Sequence, residues 1–229
     1  MTMYHFGLLS LLLVAACEPV EVTSVAPPAA VTEGASLAAS AVPATVVEVY
    51  LCGPELRLVA EFRAQSVWLF LPERSLLLNQ VAAASGARYQ GDGVSLWSKG
   101  GRALLEIDGV SQPECMADSR LAPWELAKLA GADFRAFGQE PAWVLELYPE
   151  RVVLLLNYGQ TRIETPAAAV EEDRVAGISR DDIETEANRL TSELRSQPCL
   201  DSMSGEQFAT SVQLEVNGRQ LKGCGRPLH

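Results

Sequence analysis

The stretch SGARYQGDGVSLWSKGG, Ser85 to Gly101, decides how this chain is read. Gly91-Asp92-Gly93 supplies a turn, with two glycines free to take positive φ flanking a turn-forming Asp. Polar and apolar residues alternate on either side, so the stretch predicts a β-hairpin. Ser85 lies seven residues before Asp92 and Lys99 seven after it. A three-residue loop in regular register would therefore set the two opposite each other, with Cβ atoms about 5 Å apart.

Period-two alternation extends through the preceding forty residues. Val47, Val49 and Leu51 alternate, then Leu56, Leu58, Ala60 and Phe62, then Val67, Leu69 and Leu71. Turn signals at Gly53-Pro54, Pro72-Glu73, Gly91–Gly93 and Gly100-Gly101 separate these runs. Short antiparallel strands are expected, and a small closed barrel is the arrangement that leaves no exposed edge. Trp68, Phe70 and Trp97 read as core or barrel-rim residues.

The N-terminal residues look like a targeting segment. Phe6 to Ala16 is an apolar run of eleven residues, too short to span a bilayer. Val14-Ala15-Ala16-Cys17 resembles a bacterial lipobox, which implies a signal peptide over residues 1–16 and lipid on Cys17. The n-region departs from that pattern in having no Lys or Arg. Residues 18–44 are rich in Pro, Ala, Val, Ser and Thr without apolar periodicity, and read as a disordered tether. Its 27 residues would reach about 30 Å.

The five cysteines divide as one, two and two: Cys17 for lipid, Cys52 with Cys115, and Cys199 with Cys224. Neither later pair has metal-site spacing, and an exported chain meets an oxidising compartment, so two disulfides are expected. The division of the chain follows: 45–118 a first β domain, 119–132 a connector with a short helix over Pro123–Ala132, and 133–229 a second, mainly β domain. In the latter, Val144–Leu147, Arg151–Asn157 and Val212–Val216 read as strands, and Asn217-Gly218 is a strong hairpin turn. Arg180–Ser196 fits helix or strand by periodicity alone.

Several motifs of the first domain come in the order of a known family. Tyr50 and Cys52, Ser85-Gly86-x-x-Tyr89, Trp97-x-Lys99-Gly100 and Cys115 resemble the membrane-bound inhibitors of c-type lysozyme. The resemblance implies an eight-stranded antiparallel barrel, with Ser85 and Lys99 as the lysozyme-binding pair. Gly86, Tyr89, Trp97 and Gly100 would support the hairpin. The two carboxylates of a retaining glycosidase lie about 5–5.5 Å apart, a separation that such a pair could match. In the second domain, Gly138-x-Glu140-Pro141-x-Trp143, Cys199-x-Asp201-x-Met203-Ser204-Gly205 and Gly223-Cys224-Gly225-Arg226 resemble an uncharacterised domain of bacterial envelope lipoproteins. That resemblance favours strand for Arg180–Ser196. The motifs themselves read as folding determinants: glycines for turns, Trp143 for core, cysteines for a staple.

Composition excludes some functions. The two histidines, His5 and His229, lie in the leader and at the last position, so no triad has a credible base and an enzyme is not expected. No cofactor or metal is implied; Glu171-Glu172-Asp173 and Asp181-Asp182 read as a solvated face. Eighteen basic and twenty-nine acidic residues give a net charge of −11, which disfavours nucleic acid and favours a cationic protein partner. Lysozymes of the c-type are basic, as the resemblance requires. The expectation is a lipid-anchored inhibitor of c-type lysozyme facing the periplasm. Glu18 after Cys17 favours the outer over the inner membrane. The alternative is a non-inhibitory envelope scaffold or peptidoglycan-associated lipoprotein.

Overall fold

A computed structural model describes residues 45–229. The residues read as a leader, Cys17 and those read as a tether lie outside the described residues. Nine strands come first: β1 Val46–Cys52, β2 Leu56–Phe62, β3 Ser66–Phe70, β4 Ser75–Val81, β5 Ala87–Gly91, β6 Val94–Lys99, β7 Arg102–Ile107, β8 Val110–Ser111 and β9 Cys115–Ala117. They pair in the order β6-β5-β4-β3-β2-β1-β9-β7-β8, and an additional β6–β7 pairing closes the ring. The result is an eight-stranded antiparallel barrel, with β8 a short flap paired only to β7. Leu58, Val67, Leu69, Leu78 and Leu96 fill its interior with no solvent exposure, as expected of a barrel this narrow.

Alternation is obeyed, but β1 presents its faces the other way round from the reading of Val47, Val49 and Leu51. Tyr50 and Cys52 belong to the barrel core. Val47 and Val49 point outward yet are buried, and Leu51 is exposed. The helix α1, Ala122–Leu129, lies against β1 on its outer side. Glu125 of the helix pairs with Arg57 of β2. A strand covered on both faces carries apolar residues on both, so periodicity fixes the alternation and not its direction. Trp68, Phe70 and Trp97 are likewise not core residues. They share the outward face of β3 and β6 with half-buried rings, opposite in phase to Val67, Leu69 and Leu96.

A second antiparallel sheet follows: β10 Phe134–Gln139, β11 Ala142–Leu147, β12 Arg151–Leu156, β13 Thr161–Pro166, β14 Glu171–Asp173, β15 Ile178–Glu184, β16 Arg189–Arg195, β19 Thr210–Val216 and β20 Arg219–Pro227. Their order is β13-β12-β11-β10-β20-β19-β16-β15-β14, a curled half-barrel that does not close. Two short strands, β17 Cys199–Leu200 and β18 Gln207–Phe208, pair with each other. Arg180–Ser196 is thus mostly strand, split by a turn between β15 and β16.

Of the motif glycines, Gly205 serves a turn, with φ 70° and its amide donating to the Asp201 carbonyl oxygen, whereas Gly138 and Gly223 lie within strands. A Cβ on Gly138 would lie 2.2 Å from Trp143 Nε1, and one on Gly223 would lie 2.6 Å from the same ring and 2.0 Å from the Phe137 carbonyl oxygen. Trp143 of β11 therefore occupies space that two neighbouring strands leave open, and it is 2% exposed. The Glu140–Pro141 peptide between β10 and β11 is cis.

Both expected disulfides form, Cys52–Cys115 and Cys199–Cys224. The first joins directly opposed residues of β1 and β9. The second ties β17 to β20 beside a cluster in which Trp124 stacks on Phe208 with centroids 5.4 Å apart, and Phe137 meets both edge-on. The Arg226 guanidinium lies 4.4 Å over the Trp124 ring. The helix expected as a connector thus supplies a core residue to the second sheet as well as a cover for β1.

Candidate functional site

Asp92 and Gly93 both take positive φ, 47° and 75°, which is the two-residue turn that matches strand twist. Gly91 pairs with Val94 and Ala87 with Ser98. This register corrects the three-residue loop read from the sequence: continued one step, it sets Lys99 opposite Gly86, and Ser85 one place further, toward Gly100. The physical reason is that Asp92 itself takes the left-handed conformation, so Gly91 is free to remain in the strand.

The Ser85 and Lys99 segments nevertheless meet at one rim of the barrel. Gly86 takes φ +68°, and a Cβ there would lie 2.5 Å from the Ser98 carbonyl oxygen and 3.1 Å from Lys99 Cβ. Only glycine lets the β4–β5 loop press so closely on the end of β6. The indole Nε1 of Trp97 donates a hydrogen bond to the Ser85 carbonyl oxygen at 2.8 Å, fixing the loop to the strand that carries Lys99. Lys99 pairs with Arg102 across a second two-residue turn, in which Gly100 and Gly101 have φ 58° and 77°. Ser85 and Lys99 are exposed, as is Gly100.

Tyr89 is buried inside the barrel, its ring 5.6 Å from that of Phe62. Its role is to anchor β5 from within, and burial raises its hydroxyl pKa. One interior element was not read from the sequence: Tyr50 donates a hydrogen bond to the Glu48 carboxylate. Burial first, and Glu48 second, push the Tyr50 hydroxyl well above the ordinary tyrosine range. The signal was present in β1, because Cys52 must face inward to reach the buried Cys115, and Glu48 and Tyr50 share its parity.

In the second sheet, the Asp201 carboxylate organises its loop. It accepts hydrogen bonds from the Ser204 amide at 2.8 Å, the Ser204 hydroxyl at 2.7 Å and the Gln139 amide at 3.2 Å. Burial alone would raise its pKa, but these donors hold it below the usual aspartate value. The Asp201 and Ser204 motif is thus a loop clasp. Among the described residues no cluster of three or more His, Cys, Asp or Glu could hold a metal ion, and no helix is long and apolar enough to cross a membrane.

Residues 50–113, from β1 to the turn before β9, match the family model described as membrane-bound lysozyme-inhibitor of c-type lysozyme. A curated protein named membrane-bound lysozyme inhibitor of C-type lysozyme, from Yersinia enterocolitica, is 40% identical over 60 residues. That stretch covers 26% of this chain and 51% of the relative, so the chain spans about half the length of the curated protein it matches. No solved structure matches.

Proposed function

We propose that this chain is a lipid-anchored inhibitor of c-type lysozyme in the bacterial envelope, held by lipid on Cys17 and facing the periplasm, with the outer membrane as its site. Lys99 enters the lysozyme cleft as a cation and pairs with the catalytic carboxylates. Ser85 donates a hydrogen bond to one of them, and the surrounding loops cover the sugar subsites. The observation that carries this reading is the shared rim. Two exposed polar side chains stand on loops that Gly86 brings into contact and that the Trp97 indole ties together, within the segment that matches the inhibitor family.

The chemistry is one of charge. A lysine that leaves water must be compensated, and the paired carboxylates of a glycosidase cleft offer two negative charges at short range. The net charge of −11 adds long-range attraction to a basic enzyme, which acts on the association rate and fades with salt. The test is muramidase activity of a c-type lysozyme titrated with the full-length protein and its Ser85→Ala and Lys99→Ala variants. Inhibition that weakens in both variants supports the proposal. Equal inhibition by all three forms removes the pair from the mechanism, and no inhibition by the wild type leaves the barrel as an envelope scaffold. The anchor is tested separately, by mass analysis of the chain from bacterial membranes with and without Cys17→Ser.

A further inference from the structure

The outward face of the barrel carries an order that the inhibitor reading does not use. Following the strand register sideways, Ser66 pairs with Asn79, Asn79 with Gln90, Gln90 with Ser95, Ser95 with Glu106, and Glu106 with Ser111. One row across six strands is therefore made of hydroxyls, side-chain amides and a single carboxylate. None of the six takes part in an ion pair among the described residues. The next row runs Arg88, Trp97, Leu104, again by direct pairing, and Arg88 Nε donates to Ser95 Oγ at 3.2 Å. Over β5 to β8 the two rows border a groove of about 290 Å³, lined in part by Arg88, Trp97, Leu104, Glu106, Ser111 and Gln112.

The chemistry of this face is specific. Arg88 and Glu106 cancel, so the patch is neutral on a chain of net charge −11, and neither a cationic protein nor a polyanion is its complement. Hydroxyls and amides both donate and accept, which suits a ligand dense in hydroxyl groups. The half-buried Trp97 ring and the 51% exposed Leu104 supply apolar surface beside them. Sugar rings combine these demands, with an apolar face to stack on an indole and a polar edge to hydrogen-bond. N-acetyl groups along such a chain add secondary amides for the side-chain amides of the row and methyls for apolar surface such as Leu104. Neighbouring strands are about 4.8 Å apart, so polar side chains recur along the row at roughly the length of one pyranose ring in an extended β-1,4 chain.

We propose that this groove, together with the polar row beside it, binds a neutral, extended glycan of N-acetylated amino sugars, one ring stacked on Trp97, with Glu106 and Ser111 holding its polar groups in the groove and Gln90 and Ser95 holding those that continue along the row. Trp97 is shared with the rim that carries Ser85 and Lys99, but the four polar side chains stand on the barrel wall and outside those loops, so they can be changed without touching the inhibitor pair. The experiment is calorimetric titration of the full-length protein with the hexamer of N-acetylglucosamine, with cellohexaose in parallel, repeated on Gln90→Ala/Glu106→Ala. Saturable binding of the hexamer, weakened about tenfold or more in the double variant and in cellohexaose, is expected; tenfold corresponds to about 1.4 kcal/mol. Near-ultraviolet circular dichroism, and lysozyme inhibition where the wild type shows it, should be unchanged in the variant, because neither side chain is buried. No saturable binding at millimolar sugar overturns the site. Equal binding by wild type and double variant overturns the residue assignment, and equal affinity for cellohexaose overturns the N-acetyl assignment.

Discussion

The two sheets of this protein solve the problem of a small β core in opposite ways. The first closes on itself: β1 meets β9, β6 meets β7, and every barrel strand has two neighbours. Its interior needs only interlocking aliphatic side chains, and its rims are left free for Ser85 and Lys99. The second sheet stays open, with β13 and β14 at its edges. Those edges carry charge instead of partners: Arg162 and Glu164 on β13, and Glu171, Glu172 and Asp173 on β14. A charged edge resists pairing with another chain, so the acidic run that reads as a solvated face has a structural reason to be there. The open sheet packs its core around Trp143, its largest ring, and borrows α1 to build the Trp124, Phe137 and Phe208 cluster on its other side. Closure leaves a rim available for binding, whereas the open sheet depends on a few large contacts.

The sharpest way to break this contrast is Trp143→Ala. Loss of the buried ring should cost about 3–5 kcal/mol in the second sheet, read as a lower urea midpoint. Trp68→Ala, which removes a half-exposed ring from the barrel wall, should cost far less, and equal losses would contradict the packing described for Trp143. Next comes Cys52→Ser/Cys115→Ser. The bridge spans a sequence separation of 63, so its removal should cost about 4 kcal/mol in the chain-entropy picture, against about 3.5 for Cys199→Ser/Cys224→Ser across 25. Gly86→Ala should cost about 1–3 kcal/mol, since it strains the backbone and displaces Ser98 or the loop. Inhibition should fall with it, while Gly131→Ala, also at positive φ but with open space around it, should leave inhibition unchanged.

Acid should divide two carboxylates of the second sheet. Asp201 is held below the usual aspartate value by its hydrogen-bond donors, so its contribution is complete above the unfolded value, about pH 4, and is lost as pH falls through the folded one. Asp181 is raised by burial, outweighing the Ser192 amide that donates to it at 3.1 Å. Its folded form takes up a proton first, so it favours folding progressively as pH falls from its folded value toward the unfolded one. Asp201→Asn should therefore flatten the rise of stability with pH in the acid range, and Asp181→Asn should steepen it. Urea midpoints from pH 3 to pH 6 give both slopes, and shifts of the same sign in the two variants would contradict this assignment.

Much of the barrel was legible because alternation, turn glycines and cysteine spacing are local signals. The direction in which β1 faces was not, since Val47 and Val49 are apolar for the sake of the side covered by α1 rather than for the barrel interior. The Ser85 to Lys99 register turned on whether Asp92 took positive φ, which residue type alone leaves open. Gly138 and Gly223 read as turns because glycine looks the same in sequence whether it supplies a dihedral or room for Trp143. The strand β10 gives a weak sequence signal, because of the inward-alternating Phe134, Ala136 and Gly138 the two small residues carry little hydrophobic weight. The meeting of the Ser85 and Lys99 loops rested on an ordered set of motifs, and the geometry adds what the motifs could not state: Trp97 holds Ser85 by its carbonyl and leaves the hydroxyl out of that bond.

The measurement that tests the division of labour most directly is the inhibition constant for a c-type lysozyme of three full-length proteins: wild type, Lys99→Ala, and Leu145→Val as a mild change in the second core. The expected result is a loss of about 2–5 kcal/mol for Lys99→Ala and none for Leu145→Val. Undiminished inhibition by folded Lys99→Ala, or an equal loss in both variants, would contradict a barrel rim that inhibits through a single inserted lysine.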